Sequence, residues 1–192
     1  MAADAGRALL NGLVVLEATR LEADEARRAL VTVPPVPAAT ATEAGARYRG
    51  QRDHPFPECF ACGVARPPGD GLRLRPGPVD DGVAAAWRPD PSVADESGLV
   101  SVPVLWAALD CPGGWAVDLT GRPMVLGTMT ARIDERPEKG EPLVVTGRAL
   151  DVSERKAVTA TTLYRASGDV LAVAAHVWVV VNPSTFGAGA GQ

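Results

Sequence analysis

The sequence predicts an α+β fold in which a curved antiparallel β-sheet wraps around a central helix at about residues 102–117. Three observations carry this reading. The stretch Ser101-Val-Pro-Val-Leu-Trp-Ala-Ala-Leu-Asp110-Cys-Pro-Gly-Gly-Trp-Ala-Val117 is apolar on nearly all sides and carries one group ionised at neutral pH, Asp110. A helix without a polar face must be enclosed by other structure. Two short β-prone runs precede it, four runs of strand length separated by short turns follow it, and only a strongly curved sheet can enclose one helix.

Near the N-terminus, Asn11-Gly12 between the apolar runs Leu9-Leu10 and Leu13–Leu16 signals a hairpin. Ala23–Leu30 suits a turn or two of helix, Pro34-Pro35-Val36-Pro37 does not, and a second helix is expected over Thr40–Arg49. Residues 1–53 thus form an N-terminal extension made of a strand pair and a connecting arm. Leu72–Leu74 and Val83–Trp87 flank the turn-rich segment 76–82 and are expected to pair.

In the central helix, Ser101 is placed to cap and Pro103 falls in the first turn, where a missing N–H costs little. Pro112 followed by Gly113-Gly114 predicts a kink or an end close to Asp110. Downstream, Met124–Glu135, Leu143–Val152, Lys156–Arg165 and Val170–Val181 read as a four-stranded antiparallel meander. The near-continuous apolar run of the last strand implies cover on both faces, which dimerisation would supply. Residues 183–192 are Gly/Ala-rich and are expected to be disordered.

The 192 residues carry a formal net charge of -4, without the basic footprint of a nucleic-acid binder. No apolar run reaches the roughly 18 residues needed to span a bilayer, so a soluble cytoplasmic protein is expected. The three cysteines, Cys59, Cys62 and Cys111, are too few for a disulfide framework and are expected to be reduced. Cys59-x-x-Cys62 with His54 offers three metal-ligand positions where a structural zinc ordinarily takes four, so no metal site is expected.

The blocks Cys59-Phe-Ala-Cys-Gly63 with Gly71-Leu-Arg-Leu74, Trp106-Ala-Ala-Leu-Asp-Cys-Pro-Gly-Gly-Trp115, Glu154-Arg-Lys156, and Tyr164–Ala174 resemble the hotdog-fold acyl-CoA thioesterase superfamily. The similarity is strongest to its actinobacterial branch with an N-terminal extension, and covers residues 54–182, the expected hotdog domain. It implies hydrolysis of an acyl thioester of CoA or of an acyl-carrier protein, in a homodimer or higher homo-oligomer. No cofactor is implied beyond the CoA or phosphopantetheine of the substrate. Asp110 lies nine residues after Ser101, matching the family's helix acid when Ser101-Val102-Pro103 is laid on its His-Gly-Gly, and becomes the catalytic general base or nucleophile. Val102-Pro103 departs from the glycine pair that presents backbone donors to the thioester carbonyl.

Trp106, Gly113, Gly114 and Trp115 are candidate acyl-pocket residues, and Arg155 and Lys156 candidate phosphate ligands. His176 shares a strand face with Ala172, Ala174 and Trp178 and reads as an interior histidine with a bonded ring. Two other functions remain open: a non-catalytic module binding an acyl or aromatic ligand, and a dehydratase or cyclase acting on a polyketide-like thioester.

Overall fold

The computed structural model describes residues 5–182. The chain opens with a hairpin of β1 (Ala5–Leu10) and β2 (Leu13–Thr19), turned through Asn11 and Gly12, both at positive φ. Helices α1 (Ala23–Ala29) and α2 (Ala38–Ala46) follow, then β3 (Gly77–Val79), β4 (Gly82–Trp87) and helix α3 (Val102–Trp115). Four long strands close the chain: β5 (Met124–Ile133), β6 (Leu143–Val152), β7 (Lys156–Arg165) and β8 (Val170–Val180). Among the described residues no helix is long and apolar enough to cross a membrane. The tail 183–192 lies outside the described residues.

The main sheet is antiparallel with order β3-β4-β6-β7-β8-β5. Only β6, β7 and β8 form a meander, which corrects the expected four-strand run. The link 134–142 carries the chain across the sheet end, so that β5 pairs with β8 at the far edge. Arg165 fixes this link through ion pairs to Glu135 and Glu141, and Pro137 accepts from the Val100 backbone. The expected strand at Leu72–Leu74 is irregular chain instead. Arg73 sits at φ 54°, and Leu72 and Leu74 donate to Phe60 and Ala61, so this segment is bound to the cysteine turn and β3 pairs with β4 in its place.

Helix α3 fills the concave face. Leu105, Ala108 and Leu109 are fully buried with Val145, Leu163, Ala172 and Ala174 of the strands. Burial of a leucine of this kind contributes about 1.5–3 kcal/mol. The helix does not end near Asp110 but runs through Pro112 to Trp115. Two features support it there. The Thr161 hydroxyl donates to the Leu109 carbonyl at 2.8 Å, and Gly113 and Gly114 let the last turn lie directly on β7 and β8.

Part of the convex face is covered by the chain's own arm. Val33 donates to Thr162 at 2.9 Å, its carbonyl accepts from the Tyr164 hydroxyl, and Ala41 of α2 packs with Ala84, Val144 and Tyr164. α2 starts at Ala38 and ends at Ala46, earlier than the expected Thr40–Arg49, because Tyr48 is drawn into the core.

Helix α3 lies hard against β6 at Gly147, where a Cβ would stand 2.5 Å from the Pro112 carbonyl oxygen. Gly147→Ala is expected to lower stability by about 1–3 kcal/mol through this overpacking. Gly121→Ala, where a Cβ meets open space, serves as the control. Urea denaturation of the two variants checks the difference, and equal midpoints would remove the close approach as a constraint.

Candidate functional site

Helix α3 presents three different sides. Its sheet side is buried. A second stripe, Val102, Trp106 and Asp110, follows helical i, i+4 spacing along the side left partly open, with Trp106 37% exposed. The third side, Cys111 and Trp115, meets the cysteine turn.

Asp110 is the site's most constrained ionisable group. Its Oδ1 is buried and has no hydrogen-bond partner among the described residues. Loss of water around the carboxyl, and then the nearby Cys59 sulfur, push its pKa up to about 7. A buried carboxylate without a partner is costly, and such groups concentrate where chemistry is done.

The start of α3 supplies few free donors. Ser101 has N-cap backbone geometry, but its side chain makes no capping hydrogen bond among the described residues. Its carbonyl accepts from Val104 and Leu105, both at 3.1 Å, while Pro103 has no N–H. A cleft of about 310 Å³ opens beside this end, lined by Phe60, Gly69, Gly71, Ser92, Ser101 and Val104. None of these lining residues stands out in the sequence as a candidate. The sequence touches them only through Phe60 and Gly71 in the resemblance blocks and through Ser101 at the helix start, and the positive φ of Gly69 and Gly71 shapes the loop.

The predicted site residues separate into groups. Trp106 and Asp110 share one stripe. Gly113 and Gly114 face the sheet: a Cβ at Gly113 would lie 2.7 Å from Thr159 Oγ1 and 2.9 Å from His176 Nδ1, and one at Gly114 would lie 2.9 Å from the Trp178 ring. Their role in this structure is helix-to-sheet packing. Trp115 is buried with its ring 4.7 Å from that of Tyr48 and 5.2 Å from that of His54, and its Nε1 donates to Cys62 Sγ. Arg155 lies in the exposed β6–β7 turn and Lys156 opens β7, and Arg122 and the Val180 N–H hold this turn at the sheet end.

His176 occupies the interior position the sequence indicates. Trp178 Nε1 donates to Thr159 Oγ1 at 3.1 Å, Thr159 Oγ1 stands 3.3 Å from His176 Nδ1, and the buried His176 Nε2 has no hydrogen-bond partner among the described residues.

No protein-family model and no curated protein matches the chain. Solved structures do. Zebrafish thioesterase superfamily member 2 superposes with a TM-score of 0.53 at 17% identity, over 62% of this chain and 90% of that one. The smu.793 protein of Streptococcus mutans UA159, bound to acetyl CoA, gives 0.53 at 14% identity, over 62% and 94%. The chain is a hotdog fold. A phenylacetic acid degradation-related protein of Ralstonia eutropha JMP134 shares this hotdog core at a TM-score of 0.51 and 17% identity, over 57% of this chain and 86% of that one. Identities at this level establish the architecture and leave the activity to the residues.

Burial lowers the His176 pKa to about 4, so the folded chain holds a neutral ring where the unfolded chain protonates near 6.5. Stability is therefore complete above about pH 6.5 and falls as pH drops toward 4, by about 2 kcal/mol between 6.5 and 5. Asp110, whose shift has the opposite sign, is common to both chains when wild type is compared with His176→Gln. Denaturation midpoints at pH 7 and pH 5 should fall more for wild type than for the variant. An equal fall in both would show that His176 is not the acid-sensitive group.

Proposed function

We propose that the protein hydrolyses an acyl thioester of CoA or of a carrier protein, with Asp110 as general base. The observation that carries this is the unpartnered carboxylate on the open stripe of the central helix, one turn from Trp106. In the proposed step Asp110 takes a proton from water as the oxygen attacks the thioester carbonyl carbon. The tetrahedral intermediate then expels the thiolate, which takes the proton back from Asp110, leaving a carboxylic acid, a free thiol and the carboxylate restored. Trp106 would line the acyl group. The acetyl CoA bound to the S. mutans hotdog protein supports a ligand of this class at this fold.

Asp110→Asn is expected to lower kcat for thiol release from acyl-CoAs by about 100-fold or more, the usual scale of general-base catalysis. Trp106→Ala is expected to raise KM. Thiol release followed with a chromogenic disulfide across a panel of acyl-CoAs measures both, and an unchanged rate in a folded Asp110→Asn variant removes Asp110 from the mechanism.

A second reading is favoured by the occupied amides at the start of α3: a hotdog module that binds an acyl ligand without cleaving it. Thermal stabilisation by acyl-CoA with no thiol release would support it over hydrolysis.

The setting proposed for either reading is a cytoplasmic homodimer. Leu9, Leu10, Leu13, Val14, Val15 and Leu16 are all exposed on the N-terminal hairpin, with Leu13 at 72%. Two isolated strands do not hold such a surface in water unaided. Replacing Leu13 and Val15 together with Glu is expected to halve the mass measured by light scattering, and a wild-type chain already at monomer mass would contradict the dimer.

A further inference from the structure

We infer that Cys59, Cys62 and Cys111 form a zinc-binding site that joins the cysteine turn to the central helix. The sequence presents Cys59-x-x-Cys62 as an incomplete pair, and the fold supplies the third sulfur from α3, 52 positions away in the chain for Cys59. All three Sγ atoms lie within 4.8 Å of one another, and those of Cys59 and Cys111 are 3.5 Å apart. Thiolates held around zinc at about 2.3 Å stand roughly 3.8 Å from each other, so little rearrangement is needed. A disulfide bond of about 2.05 Å would require a larger movement of one pair and would strand the third thiol.

The surroundings are built for anionic sulfur. The backbone N–H groups of Ala61 and Cys62 point at Cys59 Sγ, and Trp115 Nε1 donates to Cys62 Sγ at 3.4 Å. His54 completes the set as a donor rather than as the ligand the sequence offers. The Phe56 N–H donates to its Nδ1 at 2.9 Å, which leaves the proton on Nε2, 3.3 Å from Cys62 Sγ. The turn is tight: Gly63 donates to the Cys59 carbonyl at 2.9 Å, and a Cβ there would lie 2.5 Å from that oxygen.

Donors of this kind stabilise thiolates but bring no full positive charge, and a divalent cation supplies it. Binding replaces three S–H bonds with three Zn–S bonds and releases the three protons to solvent, leaving one net negative charge under the N–H donors. Cys62 and Cys111 are buried and Cys59 is half-buried, so the fourth position falls to solvent on the Cys59 side.

The inference is independent of thioester hydrolysis. Full-length protein purified with zinc in the medium should carry about one zinc per chain, and chelation should make three previously unreactive thiols titratable. Cobalt exchanged for zinc should show thiolate-to-metal charge-transfer absorption. Cys111→Ala should cut metal content about tenfold or more, while Asp110→Asn should leave it unchanged, which separates this site from the proposed base. Should Cys111→Ala not fold, the chelation and cobalt measurements on the wild-type chain decide alone. A zinc content near zero with three freely reactive thiols, or an intact mass showing a disulfide among the three, overturns the site.

Discussion

The structure depends on how closely one helix can lie in the hollow of one sheet. Gly113 on the helix and Gly147 on β6 each lack the atom that would collide with the opposing backbone or side chains. With a methyl at either place the helix would have to lift, and the contacts of Leu105 and Leu109 beneath it would open. This contact also explains a proline in mid-helix. Pro112 has no N–H to continue the ladder, yet its carbonyl bonds Ala116 and the preceding turn is tied to β7 through Thr161. Tertiary packing and a side-chain hydroxyl hold the helix where local preference would end it.

Seating the helix this way fixes what its remaining sides do. With Ala108, Leu109 and Gly113 turned to the sheet, the 3.6-residue repeat leaves Trp106 and Asp110 on the open side and delivers Cys111 and Trp115 to the cysteine turn. A single rotation of the helix would exchange these roles. The carboxylate is therefore positioned by the same contacts that build the core, and the residues between 47 and 75 are anchored to the helix one position away from it. The Tyr48 hydroxyl bonds the Cys62 carbonyl at 3.1 Å, and the Tyr48, His54 and Trp115 rings pack edge to face around that turn.

Much of this was legible in the chain, and the parts that were not have a common cause. Apolar periodicity located α3 and the long strands because burial is written into each residue's own chemistry. Pairing is not: nothing in Met124–Ile133 states that it pairs with β8 rather than β6, since both neighbours offer the same small apolar side chains. The proline-rich arm around Val33 likewise conceals its role. Its cover of the convex face rests on one backbone unit bonded by Thr162 and Tyr164, a long-range match that composition does not encode. At the site, Asp110 is visible as a lone charge in an apolar run, whereas Gly113 and Gly114 read as ligand space or as a helix stop, and their contact with the sheet depends on the pairing beneath them. No spacing marks Cys111 as a partner of Cys59, because the fold alone brings them together.

Two buried polar atoms lack hydrogen-bond partners among the described residues, Asp110 Oδ1 and His176 Nε2, and the contrast between them bears on function. His176 can satisfy its environment by staying neutral. Its ring is enclosed by Thr159, Trp178 and Gly113, one nitrogen is bonded, and an uncharged imidazole is tolerable in such surroundings. Asp110 Oδ1 is buried as well, but the residue as a whole is half-buried and its neighbours on the stripe, Trp106 and Val102, are exposed. A purely structural acid would be expected to collect backbone donors, as Asp90 does from Ser92 and Asp95 from Ser97. On the proposed reading, this half-open setting is where a water attacking a thioester would give up its proton. The same orphaned chemistry thus has opposite meanings at the two positions, and the difference lies in which side of α3 each one meets.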